Sequence, residues 1–310
     1  HHAGAQPEGR IRGTTMLKLR IKQRDGLHKT IKISGPKIAV YLVLLVLVCF
    51  ISLPLIYLIS TAFKPLNELY VFPPRFFVRE PTLKNFGDLV LSLSSSAVPF
   101  SRYAFNSLLI TSLTVAGTIF VSTLGAYAMV KHHPPGSKPL FNLVIATMMF
   151  SPYVTQIPRY LVVNYLGLVD SYAALILPNL AVAYNFFLIK QFVEQFPNDL
   201  IEAARIDGAG EFYTYWKIVM PALAPAWSTL IVFSFVSSWN DFFSPLIYLS
   251  DQAKKTLPLA LNTISGGTAT IGRAGAVSAA TMLMTIPTVI VFTLMQRKVM
   301  ETMVHSGIKG

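Results

Sequence analysis

Glu202-Ala203-Ala204-Arg205-Ile206-Asp207-Gly208-Ala209 is a polar island between long apolar segments, and Trp216-Lys217-Ile218-Val219-Met220-Pro221 follows it. Charges in this pattern suit docking rather than bond-making. Asp199 is placed to cap a helix whose third residue is Glu202, a capping-box arrangement. Glu202 and Arg205 stand three apart and could pair on that helix. Gly208 supplies the permissive backbone that would end it. The expected product is a short Ala-rich helix that could lie in a groove on another protein. Reading Glu202 only as a cap and Gly208 only as a stop leaves Ala203-Ala204, Ile218 and Pro221 unexplained.

A second cluster is Ser237-Ser238-Trp239-Asn240-Asp241. Asp241 is the sole acidic residue inside an apolar run. A carboxylate at mid-bilayer costs about 2.5–3.5 kcal/mol even on the mildest scale, so it must face protein or water. Two readings stay open for Asn240 and Asp241: a helix–helix hydrogen bond, or the lining of a path in which amides and carboxylates bind sugar hydroxyls. Trp239 leans towards structure. Tyr153, Gln156, Asn179, Tyr184 and Asn185 make a further polar and aromatic set, read foremost as interfacial anchors and helix glue. Asn179 follows Pro178, so a local break could turn carbonyls towards a cavity.

Enzymatic patterns are missing. No Gly-x-x-x-x-Gly-Lys-Ser/Thr loop is present, so the chain is not expected to bind ATP itself. His132-His133 lacks nearby Cys or carboxylate partners, whereas a structural zinc takes about four ligands. Cys49 lies alone in an apolar run. No metal or cofactor is expected on this chain.

The elements that must position these residues are membrane helices. Of 310 residues, 53% are hydrophobic and 13% charged, against about 25% charged in a soluble domain. A span needs about 20 apolar residues. Six runs come near that length: Ile38–Ala62, Leu108–Val130, Leu140–Ile157, Tyr172–Ile189, Ala222–Leu249 and Ala276–Met295. Pro152, Pro158 and Pro178 predict breaks in the third and fourth. The fold class is an all-α membrane protein with six transmembrane helices. The first run is too long for a signal-peptide core.

The net charge of +12 does not point to nucleic acid, because the basic residues are not gathered on a soluble motif. With both termini cytoplasmic, 17 of the 26 Lys and Arg residues fall inside, as the positive-inside rule favours. Residues 1–15 read as a tag and linker, 16–37 as a basic cytoplasmic tail and 63–107 as an extracytoplasmic segment with little core. Residues 108–296 read as a five-helix core with a loop at 190–221, and 297–310 as a cytoplasmic tail. The Ser250–Gly275 stretch, rich in Gly, Thr and Ser, is either a flexible connector or a contact for an external protein.

The polar island resembles the EAA loop of ABC-importer permeases: Glu202-Ala203-Ala204, three residues, Gly208, nine residues, Ile218, one residue, then Met220-Pro221, with Met220 where the family has Leu. The resemblance runs on through Tyr103-Ala104-Phe105-Asn106-Ser107, Ile157-Pro158-Arg159-Tyr160, Leu166-Gly167-Leu168-Val169-Asp170-Ser171, Trp239-Asn240-Asp241-Phe242 and the Ser306-Gly307-Ile308-Lys309-Gly310 ending. It points to the type I, carbohydrate-uptake class, similar to the smaller permease subunit of the maltose importer and to alginate-type importers. It implies a bacterial inner-membrane, multi-pass subunit of an ATP-driven importer for an oligosaccharide or polysaccharide, uronides among them. Its partners would be a second homologous permease, two ATP-binding cassette subunits holding ATP and Mg, an extracytoplasmic solute-binding protein and the lipid bilayer. Glu202, Ala203, Ala204, Arg205, Asp207 and Gly208 would form a cytoplasmic coupling helix, with Lys309 and Gly310 reaching between the ATPases. Lys254, Lys255 and Leu257 would contact the binding protein, and Lys254, Lys255 and Arg273 would suit an anionic sugar. Trp239, Asn240, Asp241, Tyr153, Asn179, Tyr184 and Asn185 are the path candidates. Two other readings are an ion-coupled secondary transporter using Asp241, and a membrane anchor with no path.

Overall fold

The computed structural model describes residues 35–94, 98–265 and 273–307, and among them no strand occurs. The chain divides into two units at Ile51/Ser52, within its first helix. The described part of the N-terminal unit belongs to α1 (Gly35–Ala62), and every side chain from 38 to 51 is exposed. The expected tail at 16–34 lies outside the described residues, as do Lys309 and Gly310.

The second unit continues with α2 (Leu66–Leu69), α3 (Lys84–Ser94), α4 (Phe100–Lys131), α5 (Ser137–Met148), α6 (Pro152–Tyr165), α7 (Ala173–Leu180) and α8 (Ala183–Gln195). It goes on through α9 (Asn198–Ile206), α10 (Glu211–Thr214), a π-helical turn at Tyr215–Val219, α11 (Met220–Ala222) and α12 (Ala224–Trp239). Then come α13 (Phe243–Tyr248), a 3-10 turn at Gln252–Lys254, α14 (Leu257–Ser265) and α15 (Ala274–Gly307).

Among the described residues, three helices, α1, α4 and α15, are long and apolar enough to cross a membrane, and up to six spans result if each bent pair counts as one. The bent pairs are α5 with α6 at 116°, α7 with α8 at 41°, and 211–222 with α12 at 76°. Two of the three expected breaks are present: Pro152 opens α6 and Pro178 sits inside α7, just before the break at Ala181-Val182, whereas Pro158 lies inside α6 without interrupting it. Carbonyls there find partners, since Arg159 donates to Pro178 O at 3.2 Å and Thr118 to Asn179 O at 3.1 Å. Such outside donors are what make a broken helix tolerable in a bilayer. One break was not expected. The Ala222–Leu249 run stops at Asn240, because the Asp241 carboxylate accepts the N–H groups of Phe243 and Ser244, both at 3.0 Å, and starts α13.

The central strut is α4, flanked by α7, α8 and α12, with α15 packed on α12. Its buried face is largely hydroxylated: Ser107, Thr111, Thr114, Thr118, Ser122 and Thr123. Between helices in lipid, packing and hydrogen bonds replace the hydrophobic effect, which favours small polar residues of this kind. Ser238 donates to Thr111 at 3.3 Å, and Thr123 shares a 2.7 Å bond with the Tyr215 hydroxyl.

The segment at 63–107 corrects the sequence expectation of a loop with little core. Leu89 and Leu93 on α3 are buried with Ala276, Ala279 and Ala280 of α15. Asn85 donates to the carbonyls of Ala62 and Lys64 at 2.9 and 2.7 Å. Its Oδ1 would stand 2.1 Å from a Cβ at residue 275, so Gly275 is required by close approach. Glu68 accepts the N–H groups of Arg79 and Glu80, and the Arg79 bond first of all holds its carboxyl below the ordinary value.

Candidate functional site

The Glu202 loop is built around α9. Ile201 and Ala204 point inward, with Ile201 joining Tyr215, Val219 and Val193 in one apolar cluster. Glu202, Ala203, Arg205, Asp207 and Gly208 are exposed. The helix ends in a Schellman geometry: Ala209 N–H donates to Ala204 O at 2.9 Å and Gly208 N–H to Arg205 O at 3.0 Å. Gly208 takes φ +82°, in the left-handed region, although a Cβ there would meet nothing within 4 Å. Conformation, not space, therefore requires glycine at 208.

Two local expectations are corrected. The residue before α9 is Pro197, so Asp199 sits inside the first turn rather than capping it. There its charge still complements the helix dipole. Arg205 does not pair with Glu202. It reaches Glu211 instead, with Nε at 2.9 Å and Nη2 at 2.6 Å from the same carboxylate oxygen. The other oxygen of Glu211 accepts from the Tyr127 hydroxyl at 3.1 Å and lies 3.5 Å from His132 Nε2. Three elements thus meet on one carboxylate: α9, the end of α4 and α10. Ala204 is buried within its own chain, so of the Ala pair only Ala203 offers a face to a partner.

Sequence reasoning missed Glu211, which stands nine residues beyond Glu202, in the motif's unspecified spacer between Gly208 and Ile218. It also missed the apolar side chains left outside. Ile206 is 86% exposed, Phe212 70% and Tyr213 58%. Their apolar type is camouflaged in a chain this hydrophobic, and only the fold shows that nothing in the described residues covers them.

The second region lies at mid-height. Asn179, Tyr184 and Asn185 line a cavity of about 200 Å³ together with Thr114, Ser234 and Ser237. Asn185 donates to Ser234 Oγ at 3.4 Å, Asn179 to Leu175 O at 2.8 Å, and the Tyr184 ring tilts against Phe233. The Thr114 hydroxyl, buried, finds no hydrogen-bond partner among the described residues. The break between α7 and α8 sits at this cavity. The other path candidates stand apart from it. Tyr153 is 79% exposed on α6. Trp239 is buried, donates to Met284 O at 3.0 Å and stacks on Phe235, which is a structural role. Asn240 bonds its own helix at Val236 O, and Asp241 caps α13.

The third region is the opposite end of α4. Asp170, at φ +60°, accepts the N–H groups of Ser250 and Asp251 at 3.0 Å and the Lys254 ammonium at 2.9 Å. The Asp251 bond first, then Lys254, holds its carboxyl down to about 2. Asn106, wholly buried, donates to Ala253 O and Lys255 O at 2.9 Å and accepts from the Tyr172 hydroxyl at 2.8 Å. Leu257 is 3% exposed, and its N–H donates to Ser107 Oγ. The 250–265 stretch is therefore not a flexible connector. Leu257 is unavailable to an external protein, and Lys254 is committed to Asp170. Arg273 is exposed, while 266–272 lie outside the described residues.

Residues 119–301 match the family of binding-protein-dependent transport system inner membrane components. The chain belongs to this family. Protein LplC of Bacillus subtilis is 34% identical to this permease over 83% of it and 89% of LplC. The polygalacturonan/rhamnogalacturonan transport system permease protein YtcP of the same organism is 33% identical, over 87% of this chain and 96% of its own. A crystal structure of a bacterial ABC transporter involved in import of the acidic polysaccharide alginate superposes with a TM-score of 0.73. It covers 84% of this permease and 95% of that chain at 23% identity, so the likeness is one of fold.

Proposed function

We propose that this permease is the transmembrane subunit of an ATP-driven importer for an acidic oligosaccharide or polysaccharide, coupled through α9 to an ATPase partner. The observation that carries the reading is the Glu202 loop: a surface helix ended by a left-handed glycine, tied through Arg205 and Glu211 to α4, with Ile206 and Phe212 left uncovered. A folded chain rarely leaves side chains of that size in water without a partner to cover them. Glu211, bonded to Arg205 of α9 and Tyr127 of α4, gives a displacement of the loop a direct route to α4. The partners we assign are a second permease, two ATPase subunits and an external binding protein, with the Glu202 end and both termini in the cytoplasm and the Asp170 end outside. ATP and Mg would be held by the ATPases.

The substrate class rests on the relatives, one of which names polygalacturonan and another structure alginate. Lys254 lends it no support, since its charge is spent on Asp170. The cavity at Asn179, Tyr184 and Asn185 suits hydroxyl recognition. An ion-coupled transporter is less favoured because Asp241 serves a local role, its Oδ1 accepting the two N–H groups that start α13. The test is reconstitution in vesicles with the copurifying subunits. ATP hydrolysis stimulated by a binding protein loaded with an oligouronide, and matched by uptake, supports the reading. Uptake driven by an ion gradient without ATP overturns it.

A further inference from the structure

Two neighbouring hollows near the Glu202 end share a wall and differ in chemistry. One, of about 390 Å³, is cationic: Lys131, His133, Lys138 and Lys190 line it against a single carboxylate, Glu194. The other, of about 400 Å³, runs along α4, α5 and the start of α8, with Leu140, Leu143, Val144, Leu180 and Phe186 on its walls. Met129 lines both, so the two adjoin.

The charges do not cancel. Lys190 is almost buried, bonds Glu194 and lies 3.8 Å from the Phe141 ring centre. Lys131 donates only to neutral oxygens, Phe196 O at 2.8 Å and Asn198 Oδ1 at 2.7 Å. Lys138 is exposed. Three lysines against one glutamate leave an excess of positive charge at the mouth of a greasy groove. The adjacent His132 faces Glu211 instead.

We infer that the paired hollow is a binding site for a glycerophospholipid with an anionic headgroup, its phosphate among Lys131, Lys138 and Lys190 and one acyl chain against Leu140, Leu143 and Val144. A transported saccharide does not fit a groove walled almost entirely by hydrocarbon. A neutral lipid or an apolar partner helix leaves the lysines unanswered. Basic pockets between membrane helices are suited to anionic headgroups, and the apolar groove supplies the remaining affinity.

The test is native mass spectrometry of the full chain, extracted with the subunits that copurify and offered phosphatidylglycerol or phosphatidylcholine. Phosphatidylglycerol should be retained preferentially. Lys138→Glu changes the site by two charges, each worth about five-fold near a membrane surface, so retention should fall about 30-fold. Lys84→Glu, at the other end of the unit, should leave it unchanged. Val144→Trp should block the groove and displace lipid with the lysines intact, which keeps the test open if the charge reversal fails to fold. Equal retention of both lipids, or indifference to Lys138→Glu and Val144→Trp, overturns the site. Release of the bound lipid by inorganic phosphate alone assigns the pocket to a small anion instead. A groove that takes up no lipid at all points to a partner helix, and also overturns the proposal.

Discussion

The two ends of α4 meet their neighbouring loops in opposite ways. At the Asp170 end, the 250–265 stretch is bolted down by its own chain: Asp170, Asn106 and Ser107 between them bond five backbone groups of residues 250–257. At the Glu202 end, α9 is seated by Ile201 and Ala204 and held by the Glu211 carboxylate and by Lys131 on Asn198, while Ile206, Phe212 and Tyr213 face outward. In the sequence, one reads as a polar island and the other, Ser250–Gly275, as a flexible connector or an external contact. The latter is saturated by its own chain, while the former leaves apolar side chains open, as the proposed docking role requires.

The largest expected effect breaks the open end. Proline at 208 cannot adopt φ +82°, so Gly208→Pro should cost about 3 kcal/mol or more locally. Uptake per ATP hydrolysed should then fall about 100-fold, with the chain still inserted, as vesicle transport and protease accessibility would read. Unchanged coupling would remove α9 from the coupling role. Next comes the closed end. Asn106→Leu strands the carbonyls of Ala253 and Lys255 and the Tyr172 hydroxyl in a buried site and should cost about 3 kcal/mol of stability. Thermal unfolding in detergent measures this; a shift no larger than that of an exposed substitution would show the closure to be weaker than its bonds suggest.

Smaller effects sharpen the contrast. Arg205→Ala removes a half-exposed ion pair, a type worth about 0.2–1 kcal/mol. It should lower coupling only two- to five-fold while leaving the melting temperature nearly unchanged. Smallest is a pH effect. The Asp170 carboxyl is held at about 2, below its ordinary value near 4. Its stabilisation is therefore fully present above about pH 4 and is lost as pH falls through about 2. Wild type should lose melting temperature across that window, and Asp170→Asn should be flatter; parallel curves would mean that the pair contributes nothing.

Much of the fold was legible because hydropathy reports burial in lipid directly: α1, α4 and α15 stand where the apolar runs place them, and Pro152 and Pro178 mark breaks, though Pro158 does not. The Gly208 turn was legible from its type. The Glu202–Arg205 pair was misread because spacing on one helix says nothing of a better acceptor six residues on, at Glu211. Asp241 looked costly by composition, but the chain meets that cost with two N–H groups that its own break sets free. The 63–107 and 250–265 segments look loop-like because Pro, Ser and Gly punctuate them. Their order comes from long-range bonds through Asn85 and Asn106, which no local pattern reveals.

The hydroxyl stripe on α4 has a mechanical meaning. A threonine bonded across to another helix keeps a second acceptor at hand in the carbonyl four residues back, as Thr123 does with Ile119 O at 2.7 Å while also holding Tyr215. When a neighbour slides, the threonine proton stays on that carbonyl, so the threonine's own donor is not orphaned. The face that holds the bundle together is thereby also a low-friction track.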